Sequence, residues 1–207
     1  MIKSQVFLSD KKYKKEIYRK LLHLSSLWIP FFIYFANQII VIATLSVLLI
    51  GNIAIEYSNY KRQGIIRKYL GYFICKLSRS FELKKCNIRF SGSVFVLLAS
   101  LLSVILFTKE IAAFSVYIML ISDTAAALFG KAFGKTKIYD KKSLEGSLAF
   151  FTSAIISSMF LDKLIPFSYS VILACLLATI LEIYSKKLKL DDNLSVTLTV
   201  GIILTLL

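Results

Sequence analysis

Three carboxylates occupy positions that an ordinary solvated face does not explain. Glu56, Asp123 and Glu182 lie in or at the end of apolar runs, and Asp191 and Asp192 follow closely after the third. An ionised carboxylate near the centre of a bilayer costs about 2.5 to 3.5 kcal/mol even on lenient insertion scales, so such acids face a polar cavity and have partners. Asp123 lies roughly seven residues, or about 10 Å, inside its run, and Glu182 about one turn inside. The stretch SDTAAALFGKAFGKTKIYDKKSLEGSLAFF, residues 122–151, follows. Its small residues Ala125, Ala126, Ala127 and Gly130 let a neighbouring helix or a ligand approach the backbone closely. Gly130 and Gly134, beside Lys131, Lys135 and Lys137, can turn main-chain N–H groups and positive charge toward a phosphate. Carboxylates that hold a divalent ion or take a hydroxyl proton, next to cations that neutralise phosphates, are the parts that phosphoryl transfer needs. The run is not a Walker A loop, because its glycines are too close together and an apolar helix, not a strand, precedes them. Gly-x-x-x-Gly also serves helix packing.

A second polar face lies near the amino terminus. In EIYRKLLHL, Glu16, Lys20 and His23 fall at steps of four and three with Arg19 beside them, while Ile17, Leu21 and Leu24 face away. Cations in that position suit lipid phosphates. His23 is the only histidine, which excludes a site built from several imidazoles. Cys75, Cys86 and Cys175 form no close pair, so neither a disulfide framework nor a thiolate metal site is supported. An all-oxygen set favours Mg2+ over zinc.

These groups have to be positioned by membrane helices. A mean hydropathy of +0.72 with 57% hydrophobic residues is outside the soluble range. The periodicity predicts an all-α, polytopic bundle of about seven transmembrane helices: Leu22 to Ala36, Ile39 to Tyr57, Phe90 to Phe107, Glu110 to Gly130, Ser147 to Phe160, Ser168 to Tyr184, and Leu194 to Leu207. No small-x-small cleavage site follows the first run, which therefore reads as a retained span. Seven Lys or Arg precede it, nine lie between Ser58 and Arg89, five between Lys131 and Lys142, and three between Lys186 and Lys189, which is 24 of the 26. The positive-inside rule puts those segments and the amino terminus in the cytoplasm, and the carboxy terminus outside.

We read residues 1–207 as one integral-membrane domain, with a basic juxtamembrane helix over 1–21, a cytoplasmic connector over 58–89 and a basic phosphate-binding connector over 131–146. In the middle segment Ile66, Leu70, Phe73, Leu77 and Phe81 recur at helical spacing, as in a helix lying in the interface or against the bundle's own loops. The net charge of +14 flanks apolar spans instead of forming a separate basic domain, which argues against nucleic acid and for anionic lipid head groups and a nucleotide triphosphate. All the acids in spans fall in the cytoplasmic halves. A transporter is expected to place its polar site near the midplane, between repeated halves. A one-sided site instead fits an enzyme whose soluble reactant comes from the cytoplasm and whose apolar reactant comes from the bilayer.

Four blocks, EIYRKLLHL, SDTAAALFGKAFGK, KKSLEGSLAFF and DDNLSV, resemble the polytopic kinases of lipid alcohols, which include dolichol kinase, phytol and farnesol kinases and the CTP-dependent diacylglycerol kinase. They occur in that family's order over most of the chain. The resemblance implies transfer of the γ-phosphoryl of a nucleotide, typically CTP, to the hydroxyl of an isoprenoid alcohol or diacylglycerol. It matches Arg19, Lys20 and His23 in the first block, Asp123, Gly130, Lys131, Gly134 and Lys135 in the second, Lys141, Lys142, Ser143, Glu145 and Gly146 in the third, and Asp192 and Asn193 in the last. On this reading Asp123 holds Mg2+ or takes the alcohol's proton. Glu182, Asp192 and Asn193 are further metal or nucleotide contacts, and Arg19, Lys20, Lys131, Lys135, Lys141 and Lys142 grip the triphosphate. His23 is a base or a phosphate ligand, and Glu145 shapes the connector or orients one of its lysines. Asp140 and Thr197 depart from the family pattern, each standing where a proline is expected. Two alternatives are a phosphatidate cytidylyltransferase-like enzyme, whose His-Gly-Gly and Asp-Arg-x-x-Asp runs are missing, and a non-enzymatic lipid-binding or transport protein. So short a chain, rich in Lys and Ile, points to a bacterial plasma membrane ahead of endoplasmic reticulum.

Overall fold

A threonine opens the central helix. The side chain of Thr108 accepts from the amide of Ile111, Glu110 stands in the first turn and Lys131 in the last, an arrangement that complements the helix dipole at both ends. The computed structural model describes residues 11–61, 91–140, 142–185, 187–188 and 190–207. Within them run α1 (Lys11–Leu24), α2 (Trp28–Phe35), α3 (Gln38–Lys61), α4 (Gly92–Leu106), α5 (Lys109–Phe133), α6 (Leu144–Phe160), α7 (Tyr169–Tyr184) and α8 (Asp192–Leu206), with a short antiparallel hairpin of β1 (Lys137–Tyr139) and β2 (Lys142–Ser143) between α5 and α6. The expected connector helix over Ile66 to Phe81, Cys75, Cys86 and Lys141 lie outside the described residues.

α5 is the hub. It packs on α1, α2, α4, α6 and α8, while α7 closes against α6 and α8. Its interior is lined by Phe114, Ile118, Met119 and Leu120, each fully buried. Two helices, over Gln38–Tyr57 and Lys109–Phe133, are long and apolar enough to cross a membrane, and α4, α6, α7 and α8 are apolar but shorter.

Three expectations need correction. The span expected over Leu22 to Ala36 is not one helix: α1 runs on to Leu24, a 3-10 turn occupies Ser25–Leu27, and α2 begins at Trp28. The Ser25 hydroxyl bonds back to the Leu22 carbonyl at 2.7 Å, and Pro30 offers no amide to continue the ladder, so the chain tightens there. The basic connector expected over 131–146 is partly helix, since Lys131 belongs to the last turn of α5 and Glu145 and Gly146 to the first turn of α6. The all-α expectation also omitted the hairpin, whose turn places Asp140 at a φ of 48°. A proline cannot adopt that left-handed backbone, whereas an aspartate can.

The glycines have a steric role. A Cβ on Gly146 would stand 3.0 Å from the Ala126 carbonyl oxygen and 3.1 Å from the Gly130 Cα, so α5 and α6 approach backbone to backbone at this crossing. A Cβ on Gly134 would collide with the Gly130 carbonyl and the Ser143 side chain. Packing thus accounts for all three, independently of any phosphate.

Candidate functional site

α1 and α5 run antiparallel past each other with complementary charge. Lys20 of α1 donates to Asp123 of α5, and one turn away on α1 and about two on α5 Lys131 donates to Glu16 at 2.5 Å. The charge order, Glu16 then Lys20 on one helix and Asp123 then Lys131 on the other, favours this register over a slipped one. Lys20 is 1% exposed, and a buried ammonium persists only with a partner. His23 Nε2 lies 3.3 Å from the same Asp123 oxygen, without forming a hydrogen bond.

A second ion group adjoins the first. Lys142, at the end of the hairpin, donates to Glu182 of α7 and, at 2.7 Å, to Asp192 of α8, while the Ser185 hydroxyl donates to the other Asp192 oxygen. Glu182 and Asp192 hold the Lys142 ammonium up at about 12, from an ordinary 10.5, although burial works in the opposite direction. α5, which carries Asp123, packs on α8, which carries Asp192, so the two groups stand on neighbouring helices. Asp191 caps α8, accepting from the amide of Asn193 at 3.0 Å and from its side chain at 2.9 Å; burial raises its carboxyl above the ordinary range. Among the described residues, Ser122 Oγ, Glu182 Oε2 and Asn193 Oδ1 are buried with no hydrogen-bond partner, which leaves unused polar capacity at those positions.

The expected residues therefore divide. Asp123, Lys20 and His23 come together where α1 crosses α5, and Lys142, Glu182 and Asp192 come together where the hairpin reaches α7 and α8, with Asn193 bonded to Asp191 at the start of α8. Arg19 and Lys131 meet at Glu16, farther out on the same α1 and α5 pair. Lys135 is exposed and makes no ion pair among the described residues. Glu145 does not orient a lysine there: it accepts from the Thr136 amide at 3.2 Å, and its own amide with those of Lys135 and Thr136 holds its carboxyl below the usual range. Glu56 belongs elsewhere, accepting from the amide and hydroxyl of Ser91 just before α4.

Sequence reasoning left out Glu16, Ser185 and Asp191 as site residues. Glu16 had a signal, since it shares a helical face with Lys20 and His23. Ser185 had none beyond lying three residues after Glu182.

Among the described residues no group of three or more His, Cys, Asp or Glu side chains is gathered to hold an ion, because lysines stand between the acids. A Mg2+ ion that arrives with a nucleotide brings phosphate and water ligands and needs only one or two carboxylates, not a cage built by the protein.

No protein-family model matches the chain, and no solved structure matches it. It is 33% identical over 186 residues to the uncharacterized protein RP860 of Rickettsia prowazekii, covering 87% of this chain and 89% of that one. It is 34% identical over 117 residues to the uncharacterized protein MJ1137 of Methanocaldococcus jannaschii, covering 55% of this chain and 57% of that one. Over 165 residues it is 26% identical to the CTP-dependent diacylglycerol kinase 1 of Saccharomyces cerevisiae, covering 75% of this chain and 53% of that protein, so it spans about half the yeast enzyme's length.

Proposed function

The chain belongs to the family of the Rickettsia prowazekii protein RP860, and we propose that it is a membrane phosphotransferase that moves the γ-phosphoryl of CTP or another nucleotide triphosphate onto the hydroxyl of a lipid alcohol. The observation that carries this reading is a pair of ion groups within the bundle, Asp123 with the buried ammonium of Lys20 and Glu182 and Asp192 with the half-buried ammonium of Lys142. Mere helix pairing would be served by one acid and one base. Three acids, two cations and the unpartnered buried oxygens of Glu182 and Asn193 supply the polar groups that a preorganised site inside an apolar bundle would need.

Phosphoryl transfer needs positioning and charge neutralisation more than covalent help from the protein. The acceptor oxygen bonds to the γ-phosphorus, the bond to the β-phosphate oxygen breaks, and the nucleoside diphosphate leaves. Asp123 takes the hydroxyl proton, with His23 beside it, and Lys20 holds the carboxylate in place. Lys142, Lys131 and Arg19 bind the phosphate oxygens, with Lys135 and Lys141 available from the connector and Asn193 as a polar contact. Gly130 and Gly134 let the connector lie close to Ser143, and Glu145 fixes its main chain. Mg2+, carried in by the nucleotide and held by Glu182 and Asp192 or by Asp123, would neutralise the triphosphate. The lipid enters from the bilayer and the nucleotide from the basic face, which the charge distribution makes cytoplasmic, in a bacterial plasma membrane.

The test is transfer of label from γ-labelled CTP or ATP to farnesol, phytol, undecaprenol or diacylglycerol by the purified protein. Labelled lipid phosphate with release of the nucleoside diphosphate is expected. Pyrophosphate release with cytidylyl transfer would favour the cytidylyltransferase reading, and flux of lipid across vesicles without nucleotide would favour a transport protein.

A further inference from the structure

Glu16 has a place that the reaction described above does not use. One of its oxygens accepts from Arg19 Nε at 2.9 Å and also from the Arg19 Nη2, and the other accepts from Lys131 Nζ at 2.5 Å. Arg19 lies on α1, one turn from Glu16, whereas Lys131 lies 115 positions away, in the last turn of α5. The carboxylate is nearly covered, with 12% of its side chain exposed, but both cations stay open to solvent at 44% and 46%. The Arg19 and Lys131 bonds hold the Glu16 carboxyl below its ordinary 4.5, against the opposing effect of burial, so it carries its charge at neutral pH. Exposed ion pairs contribute little to stability, because two long side chains lose rotamer freedom for a screened attraction. A carboxylate that anchors two otherwise mobile cations from two helices has its main effect on where those cations stand.

Resting on the phosphotransferase reading, we propose that Glu16 is a positioning residue for the nucleotide: it fixes Arg19 and Lys131 as a two-pronged cationic fork, farther out along α1 and α5 than Asp123, that receives the phosphate chain. Arg19 keeps guanidinium N–H groups free of Glu16, and the Lys131 ammonium keeps donors as well, so both can bind phosphate oxygens without releasing the carboxylate. Ordering the fork before the ligand arrives removes a conformational cost that two free side chains would otherwise carry into the complex.

The proposal has a distinctive sign. Glu16→Gln removes a negative charge beside an anion site, and Coulomb attraction alone then predicts tighter nucleotide binding. Positioning predicts the reverse, a rise of about tenfold in the nucleotide Kd and KM with kcat changed by less than about threefold, as befits loss of ground-state binding. The closing experiment is CTP and ATP titration by calorimetry, together with steady-state kinetics, on the full chain in detergent as wild type, Glu16→Gln, Glu16→Asp and the exchange Glu16→Lys with Lys131→Glu. The exchange keeps a bridge between α1 and α5 but removes the cation from α5. Recovery of wild-type thermal stability in the exchange without recovery of nucleotide affinity, and partial rescue of affinity in Glu16→Asp, are the results expected. Unchanged or tighter binding by Glu16→Gln, or an exchange variant that restores affinity along with stability, would overturn the positioning role. A wild-type chain that binds neither nucleotide would overturn the phosphotransferase reading itself, and this role with it.

Discussion

Glu56 and Asp123 look alike in the sequence, each an acid in a helix long and apolar enough to cross a membrane. Their surroundings differ. The apolar stretch of α3 is only 11% buried within the protein, whereas that of α5 is 61% buried. Glu56 lies at the edge, where it accepts from the amide and hydroxyl of Ser91 and so satisfies donors that the start of α4 would otherwise leave unpaired. Asp123 lies on the hub helix and faces the buried ammonium of Lys20, with His23 close by. Neutral donors make a carboxylate a cap; a buried cation makes it part of a charged cluster. The difference comes from the neighbours and from where along its helix each acid stands.

The comparison is broken most severely at Asp123. Asp123→Asn is expected to lower transfer by more than about a thousandfold, the scale for losing a group that acts in the transition state. It also leaves the Lys20 ammonium buried without a counter-charge, for a stability loss of about 3 to 5 kcal/mol in thermal or denaturant unfolding in detergent. Retained transfer would show that Asp123, like Glu56, serves structure alone.

Lys142→Met is next. It strands Glu182 and Asp192 near each other, and we expect both transfer and stability to fall, with Lys142→Arg recovering much of the stability because the charge returns. The sign of its pH dependence follows from the raised ammonium. A group whose folded pKa lies above its unfolded value contributes stability that is complete below the unfolded value. The stability gap between wild type and Lys142→Met should therefore be constant up to about 10.5 and close as the pH rises through about 12. A gap that instead closed on acidification to pH 7 would show that the Lys142 ion pairs are not what the substitution removes.

Gly146→Leu separates packing from chemistry. A side chain there meets the Ala126 carbonyl and Gly130, so α6 must move away from α5 at a cost of about 1 to 3 kcal/mol. Transfer should fall because the hairpin that carries Lys142 moves with the start of α6. Unaltered melting would contradict the close crossing.

Glu56→Gln should have the smallest effect. The amide side chain keeps an acceptor for the Ser91 amide, so stability should change by about 1 kcal/mol and transfer by less than about threefold. A loss comparable with that of Asp123→Asn would erase the distinction between the two acids.

Much of the architecture was legible in the sequence, because apolar runs of this length leave few alternatives to helix. The bounds of α3, α4, α5 and α7 fall within a few residues of expectation. The break at Ser25–Leu27 was not legible, since two serines and a proline one turn on are compatible with an unbroken membrane helix too. The acids of the cluster were visible as charges in apolar runs, but their partners were not. Lys20 and Lys142 were two among 26 basic residues, and only the tertiary crossings of α1 with α5 and of the hairpin with α7 and α8 single them out. Glu56 was grouped with Asp123 because nothing local separates them: Ser91 lies 35 residues away. The glycines carried the opposite ambiguity. Their spacing suits a phosphate loop or a helix crossing, and the Gly130 and Gly146 contact accounts for them by the crossing.

One measurement bears most directly on the claim that Asp123 acts in the reaction and does not merely balance Lys20. It is phosphoryl transfer by a chain carrying Asp123→Asn together with Lys20→Met, which removes both members of the pair and leaves no buried charge unmatched. The account predicts a protein that melts close to wild type and transfers no label to lipid above background. Transfer near the wild-type rate from that double variant would contradict it.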